Sequence, residues 1–241
     1  MKSMLILLLA IMLFSTSKSR AQDGTYKNDD FAIKEVRITD KSDLGVMVWE
    51  IDVIGTAGKT TPKKAGQLDG APVLGYVFPT TLKPTDVGFG ETDGILALAL
   101  TSHPDFDDTP LWDENNDRMF DNDGLVWHPH WVILTKDERV AGRLAVKQFK
   151  KADDTVVLPP TNPGMPMYMD SPGFPVTTSE KTIRVLVPNY RMNNQSNFNY
   201  DGVTALMQVN TSKENMPMLG VYEVYSVASG DLSLPYTVKQ Q

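Results

Sequence analysis

The sequence predicts an all-β fold: an antiparallel β-sandwich or barrel-like fold of roughly nine to eleven strands with long irregular loops. Three observations carry that expectation. Apolar or alternating runs of strand length recur from FAIKEVRIT near the start to MLGVYEVYSV near the end. No stretch of about a dozen residues has helical periodicity, and no repeat of fixed period is present. The runs are separated by segments in which most of the 17 glycines and 16 prolines fall, the residues that punctuate strands with turns.

The chain opens with MKSMLILLLAIMLFSTSKSRA, which has a lysine near its start, an apolar run over residues 4–14, and small residues at Ser19 and Ala21. That is the layout of a cleaved secretory signal peptide, and the run is too short to span a bilayer. The expectation is a signal over residues 1–21 and a mature, exported chain in a periplasm or outside the cell. With no long polar linker to divide them, residues 22–241 read as a single all-β domain.

There are no cysteines, which excludes disulfides, thiolate metal sites and a cysteine nucleophile. The formal charge is -7. Loss of Lys2, Lys18 and Arg20 with the signal takes it from -7 to -10. So acidic a surface disfavours nucleic acid and anionic lipid and suits cations. No later run is apolar enough to cross a membrane as a helix.

Taken in order, FAIKEVRIT alternates with Phe31, Ile33, Val36 and Ile38 on one face after a single slip. LGVMVWEIDVIG then forms a hairpin or meander with it. The polar segment over residues 56–72 is a loop, VLGYVFP a strand, residues 80–94 a second loop, and GILALALTS a strand. LVWHPHWVIL and RLAVKQF follow as strands around the turn KDERVAG. In PTNPGMPMYMDSPGFPVTTSE five prolines rule out a helix and most ladder pairing. TIRVLVP, GVTALMQVNT and MLGVYEVYSV complete the strands.

Functional residues concentrate in HPDFDDTPLWDENNDRMFDNDGLVWHPHW, residues 103–131. This stretch holds all three histidines, three of the four tryptophans and eight acidic side chains against one arginine. Two predicted strands clamp its ends. From Asp113 the oxygen donors Asp113, Asn115, Asp117 and Asp121, with the carbonyl of Met119, occupy positions 1, 3, 5, 9 and 7 of a twelve-residue loop. Alternate donors of that kind turn inward around one hard cation.

Over these twelve residues the segment resembles the calcium loops of EF-hand and dockerin-like proteins. It departs from them at Arg118, where they carry glycine, and at Gly124, where they carry the bidentate acid. Asp123 stands one position earlier. The resemblance implies a loop-type Ca²⁺ site of structural role. Beside it Asp105, Asp107 and Asp108 are further candidate ligands for the same ion or a second one. The alternative is a solvated acidic loop of Asx-turns.

His128 and His130 stand two apart in a strand, so both imidazoles share one face, with Trp127, Pro129 and Trp131 on the other. Two imidazoles so placed can share Zn²⁺ or Cu²⁺, and His103 is the third candidate ligand. The H-x-H spacing is similar to that of cupins and alpha-type carbonic anhydrases over these three residues alone; no later histidine and no cupin-like spacing around Glu138 and Gly142 extends it. The alternative places both on an edge strand that Pro129 protects from further pairing.

Met165, Met167 and Met169 alternate as well. Thioethers favour Cu(I), and in composition the segment looks like the Met-x-Met loops of exported copper carriers. Flexible filling of a buried face explains the same pattern.

The reading is an exported metal-binding protein with a structural or recognition role. Two alternatives stand beside it: a metal-dependent hydrolase or lyase using His103, His128 and His130 with Asp105 as base, and a non-catalytic module whose NYRMNNQSNFNYD loop binds a glycan or protein.

Overall fold

The computed structural model describes residues 26–63, 68–103, 118 and 126–241; the expected signal peptide lies outside them. In chain order the strands are β1 (Ile33–Lys41), β2 (Val46–Val53), β3 (Pro72–Pro79), β4 (Ile95–Ser102), β5 (His128–Lys136), β6 (Leu144–Val146), β7 (Met169–Asp170), β8 (Val176–Ser179), β9 (Thr182–Pro188), β10 (Asn199–Tyr200), β11 (Val203–Val209), β12 (Leu219–Val227), β13 (Tyr236–Thr237) and β14 (Lys239–Gln240). Ten of these have three residues or more, within the expected number, and the other four are two-residue pairings. Two short 3₁₀ turns, Pro84–Val87 and Asn189–Met192, are the only helical elements among the described residues. No helix there is long and apolar enough to cross a membrane.

Strict alternation builds the first layer, a sheet of order β14-β1-β2-β9-β8. Met47, Trp49, Ile51 and Val53 on β2 and Ile183, Val185 and Val187 on β9 are buried on one face. The residues between them face outward, where charges match across strands. Arg37 lies opposite Glu50, which lies opposite Arg184. Arg37 bonds Asp52 at 2.8 Å and Arg184 bonds Glu50 at 3.0 Å. Such cross-strand pairs help fix register. The slip read in FAIKEVRIT is a register shift between Ile33 and Glu35.

The second layer is a barrel. Strands β4, β3, β11, β12, β6 and β5 pair in that order, and β4 pairs back to β5, closing the ring. Both faces of β3, β4 and β5 are buried. Leu74, Tyr76, Phe78, Leu96, Leu98, Leu100, Trp131 and Ile133 point outward against the first layer and share one apolar cluster with Trp49 and Ile51. Val73, Val77, Ala97, Ala99, Val132 and Leu134 point inward and join Val203, Ala205, Met207 and Val221 in a second cluster inside the barrel. A strand with two buried faces reads as a continuous apolar run, as VLGYVFP does.

The proline-rich segment departs from expectation. It contributes β7, which pairs with β5 beside Trp131 and Val132, and β8, which pairs with β9. Pairing succeeds because Met169 and Asp170 lie between prolines, and residues 176–179 follow the last of them.

Gly94, just before β4, has φ +137, and a Cβ there would overlap Ile133 Cγ2 and lie 2.9 Å from the Leu134 carbonyl oxygen. Gly94→Ala should therefore cost at least ~2 kcal/mol and lower the melting temperature by roughly 5 °C. A variant that melts with the parent would show that this corner yields freely.

Candidate metal centre

The interior of the barrel carries the histidines. Residues 97, 99 and 101 of β4 face inward, and period-2 alternation carries His103, one residue past the strand, to the same side. On β5 the inward positions are 128, 130, 132 and 134. In the β4–β5 register Thr101 lies opposite His128 and Ala99 opposite His130. The small side chain of Ala99 leaves room for the imidazole beside it.

The three imidazoles converge. His103, His128 and His130 are each 2% exposed, and one nitrogen from each lies within 4.8 Å of the others. His103 and His128 ring centroids are 4.7 Å apart at 88°, and those of His128 and His130 are 4.8 Å apart at 81°. His103 Nε2 and His128 Nε2 stand 2.9 Å apart. The Thr101 hydroxyl is 3.3 Å from His128 Nε2.

Neighbours orient the rings. His128 Nδ1 lies 2.9 Å from the carbonyl oxygen of Val126. A carbonyl only accepts, so Nδ1 carries the proton and the Nε2 lone pair is turned into the cluster. His130 Nδ1 lies 3.0 Å from Ser171 Oγ. Outer hydrogen bonds of this kind fix tautomer and aim in histidine metal sites.

Burial, and after it the neighbouring His103, push His130 down to about 3. The unfolded side chain has its ordinary value of about 6.5. Below that value the unfolded chain takes up a proton that the folded chain refuses, so stability is whole above pH ~6.5 and is lost as pH falls towards 3. Metal-stripped protein should show this decline in urea titrations between pH 7 and 4, and His130→Gln should flatten it. An unchanged slope in that variant would assign the decline to other groups.

Asp170, beside His130 on β7, is fully buried. Thr161 Oγ1 donates to its Oδ1 at 2.6 Å, while Oδ2 has no partner among the described residues. Burial raises its carboxyl above the ordinary range.

The sequence prediction that His128 and His130 share a face and meet His103 therefore agrees with the geometry. Among the described residues, 128–130 of β5 pair with β4 alone, and the partners on its other side, β7 and β6, begin at Trp131 and Leu134, so Pro129 does stand where second-side pairing stops. The edge-strand alternative fails at the histidines themselves, which are buried inside the barrel and not on a polar face. Asp105, Asp113, Asn115, Asp117, Met119, Asp121 and Asp123, the candidate calcium ligands, lie outside the described residues. Arg118 alone of that loop is described; it has φ +64 at the position where the calcium loops carry glycine.

Thr101, Asp170 and Ser171 were not singled out from sequence. The alternation of GILALALTS places Thr101 on the histidine face, a signal present but unused; Asp170 and Ser171 arrive through the β5–β7 pairing, which leaves no local trace. Met165, Met167, Met169 and Met207 line the same barrel chamber as His103 and His130. No protein-family model, no curated protein and no solved structure matches the chain.

Proposed function

We propose that this is an exported protein that holds one transition-metal ion, Zn²⁺ or Cu²⁺, on His103, His128 and His130, in a structural or recognition role. The observation that supports it is the convergence of three buried imidazoles whose donor atoms all lie within 4.8 Å. Burying three such polar rings inside an apolar barrel is costly unless their lone pairs are satisfied together, and one ion does that. Neutral imidazoles without thiolate or carboxylate suit these two ions best. The acidic loop joining His103 to His128 belongs to the proposal as a neighbouring Ca²⁺ site.

A second reading, a metal-dependent hydrolase or lyase, draws on one observation: His103 and His130 line an open chamber, as a site with a free coordination position would. The glycan- or protein-binding alternative draws on the Asn-rich loop, where Tyr190, Asn193, Asn194, Asn197 and Asn199 are exposed while Met192, Phe198 and Tyr200 are core residues.

Elemental analysis of protein purified without chelator tests the proposal. The expected result is close to one equivalent of zinc or copper, falling below a tenth of that in His128→Ala and His130→Ala with the β-type circular dichroism retained. Metal-free protein that also fails to take up added Zn²⁺ and Cu²⁺ would refute it.

A further inference from the structure

The barrel is under-filled along its axis. Ala99 on β4 and Ala205 on β11 face inward, where larger residues would interdigitate, and both line a cavity of about 110 Å³. Interiors are ordinarily packed without voids of this size. For scale, an engineered apolar cavity of about 150 Å³ accepts benzene, so this smaller one suits a body of about four to five carbons.

The chemistry of the wall is polarised. It is apolar throughout except at one end, where Thr101, His103 and His130 line it. The opposite end, beyond Val203 and Pro79, is lined by Leu232 and Leu234. Both leucines have left-handed backbone, with φ +59 and +55, a conformation bulky side chains rarely take. Leu232 is 37% exposed, so this end is thinly covered.

We infer that the barrel binds a small amphipathic carboxylate, its chain of about four to five carbons in the chamber and its head on the ion held by the histidines. The inference rests on the metal reading and names the ligand class of that site. Three imidazoles are neutral ligands, so a divalent ion keeps its full charge at the edge of an apolar chamber and favours an anion in its remaining position. The Thr101 hydroxyl is placed to donate to a second carboxylate oxygen. The methionines of the wall, flexible and polarisable, adapt to an apolar chain better than β-branched residues do.

The test uses protein loaded with Co²⁺, whose visible bands report its ligands, titrated with hexanoate. The expected result is a band shift with wild type, weakened at least tenfold in Ala205→Leu and in Val203→Phe, which fill the chamber away from the histidines. Met207→Ala should enlarge it and move the preferred chain from hexanoate towards octanoate. Hexanoate binding at least tenfold weaker to metal-free protein completes the supporting pattern.

Co²⁺ bound without a response to hexanoate overturns the inference and leaves the metal reading standing. An equal response in the filled variants and no change of chain preference in Met207→Ala also overturns it, since the carboxylate then meets the ion without using the chamber. If Co²⁺ itself does not bind, the metal reading fails and takes the inference with it.

Discussion

Chelation with EDTA should lower the melting temperature by roughly 8–16 °C. An ion present at about a thousand times its dissociation constant stabilises the folded state by ~4 kcal/mol, and for a chain of this size each kcal/mol is worth roughly 2–4 °C. The ligands come from the end of β4 and from the start of β5, which a long segment separates in sequence, so the ion closes a loop that the unfolded chain leaves open. His128→Ala removes a donor whose ring is anchored to the Val126 carbonyl, and that variant should melt at the same temperature with and without EDTA. Parent protein that ignores the chelator would show that the cluster is held by its own hydrogen bonds.

Period 2 made most of the scaffold legible. VMVWEIDV and TIRVLVP state which residues are buried, and the structure follows them residue by residue. The same rule put His128 and His130 on one face, with His103 read as the third ligand from the other end of the loop, and extending it through GILALALTS would have added Thr101. What alternation cannot state is which strands close on which. Both faces of β3, β4 and β5 are apolar for different reasons, one against the sheet and one inside the barrel. Ala97 and Ala99 alternate with Leu96, Leu98 and Leu100, and this was the trace of a narrow interior beside a broad outer contact. It has that meaning only once the β4–β5 pairing is known. The short pairings of β7, β10, β13 and β14 depend on distant partners and leave too few residues to read. Asp170 and Ser171 reach the site through one of them.

Trp49→Ala should be the most destabilising single change in the described core, costing ~3–5 kcal/mol, a large fraction of the stability of an ordinary domain. Its indole is fully buried where the two layers meet. It stands edge-on to Phe78 at 5.4 Å and to Trp131 at 5.7 Å, and stacks on Phe198 at 5.5 Å. No single smaller residue reaches all three. Its Nε1 has no hydrogen-bond partner among the described residues, so the ring contributes through packing while its polar atom is a cost. Trp49→Phe removes that donor together with part of the ring, two effects of opposite sign, and should cost ~1 kcal/mol or less. Urea unfolding of the two variants separates packing from every other account, because equal losses would mean that the indole nitrogen, and not the ring area, holds the layers together. The metal centre should feel the same change. Trp131 and His130 are neighbours on β5, one facing the sheet and the other the chamber, so loosening the outer face frees the strand that aims the imidazole. Metal affinity should therefore fall in Trp49→Ala and hold in Trp49→Phe, a coupling that a site independent of the interlayer core would not show.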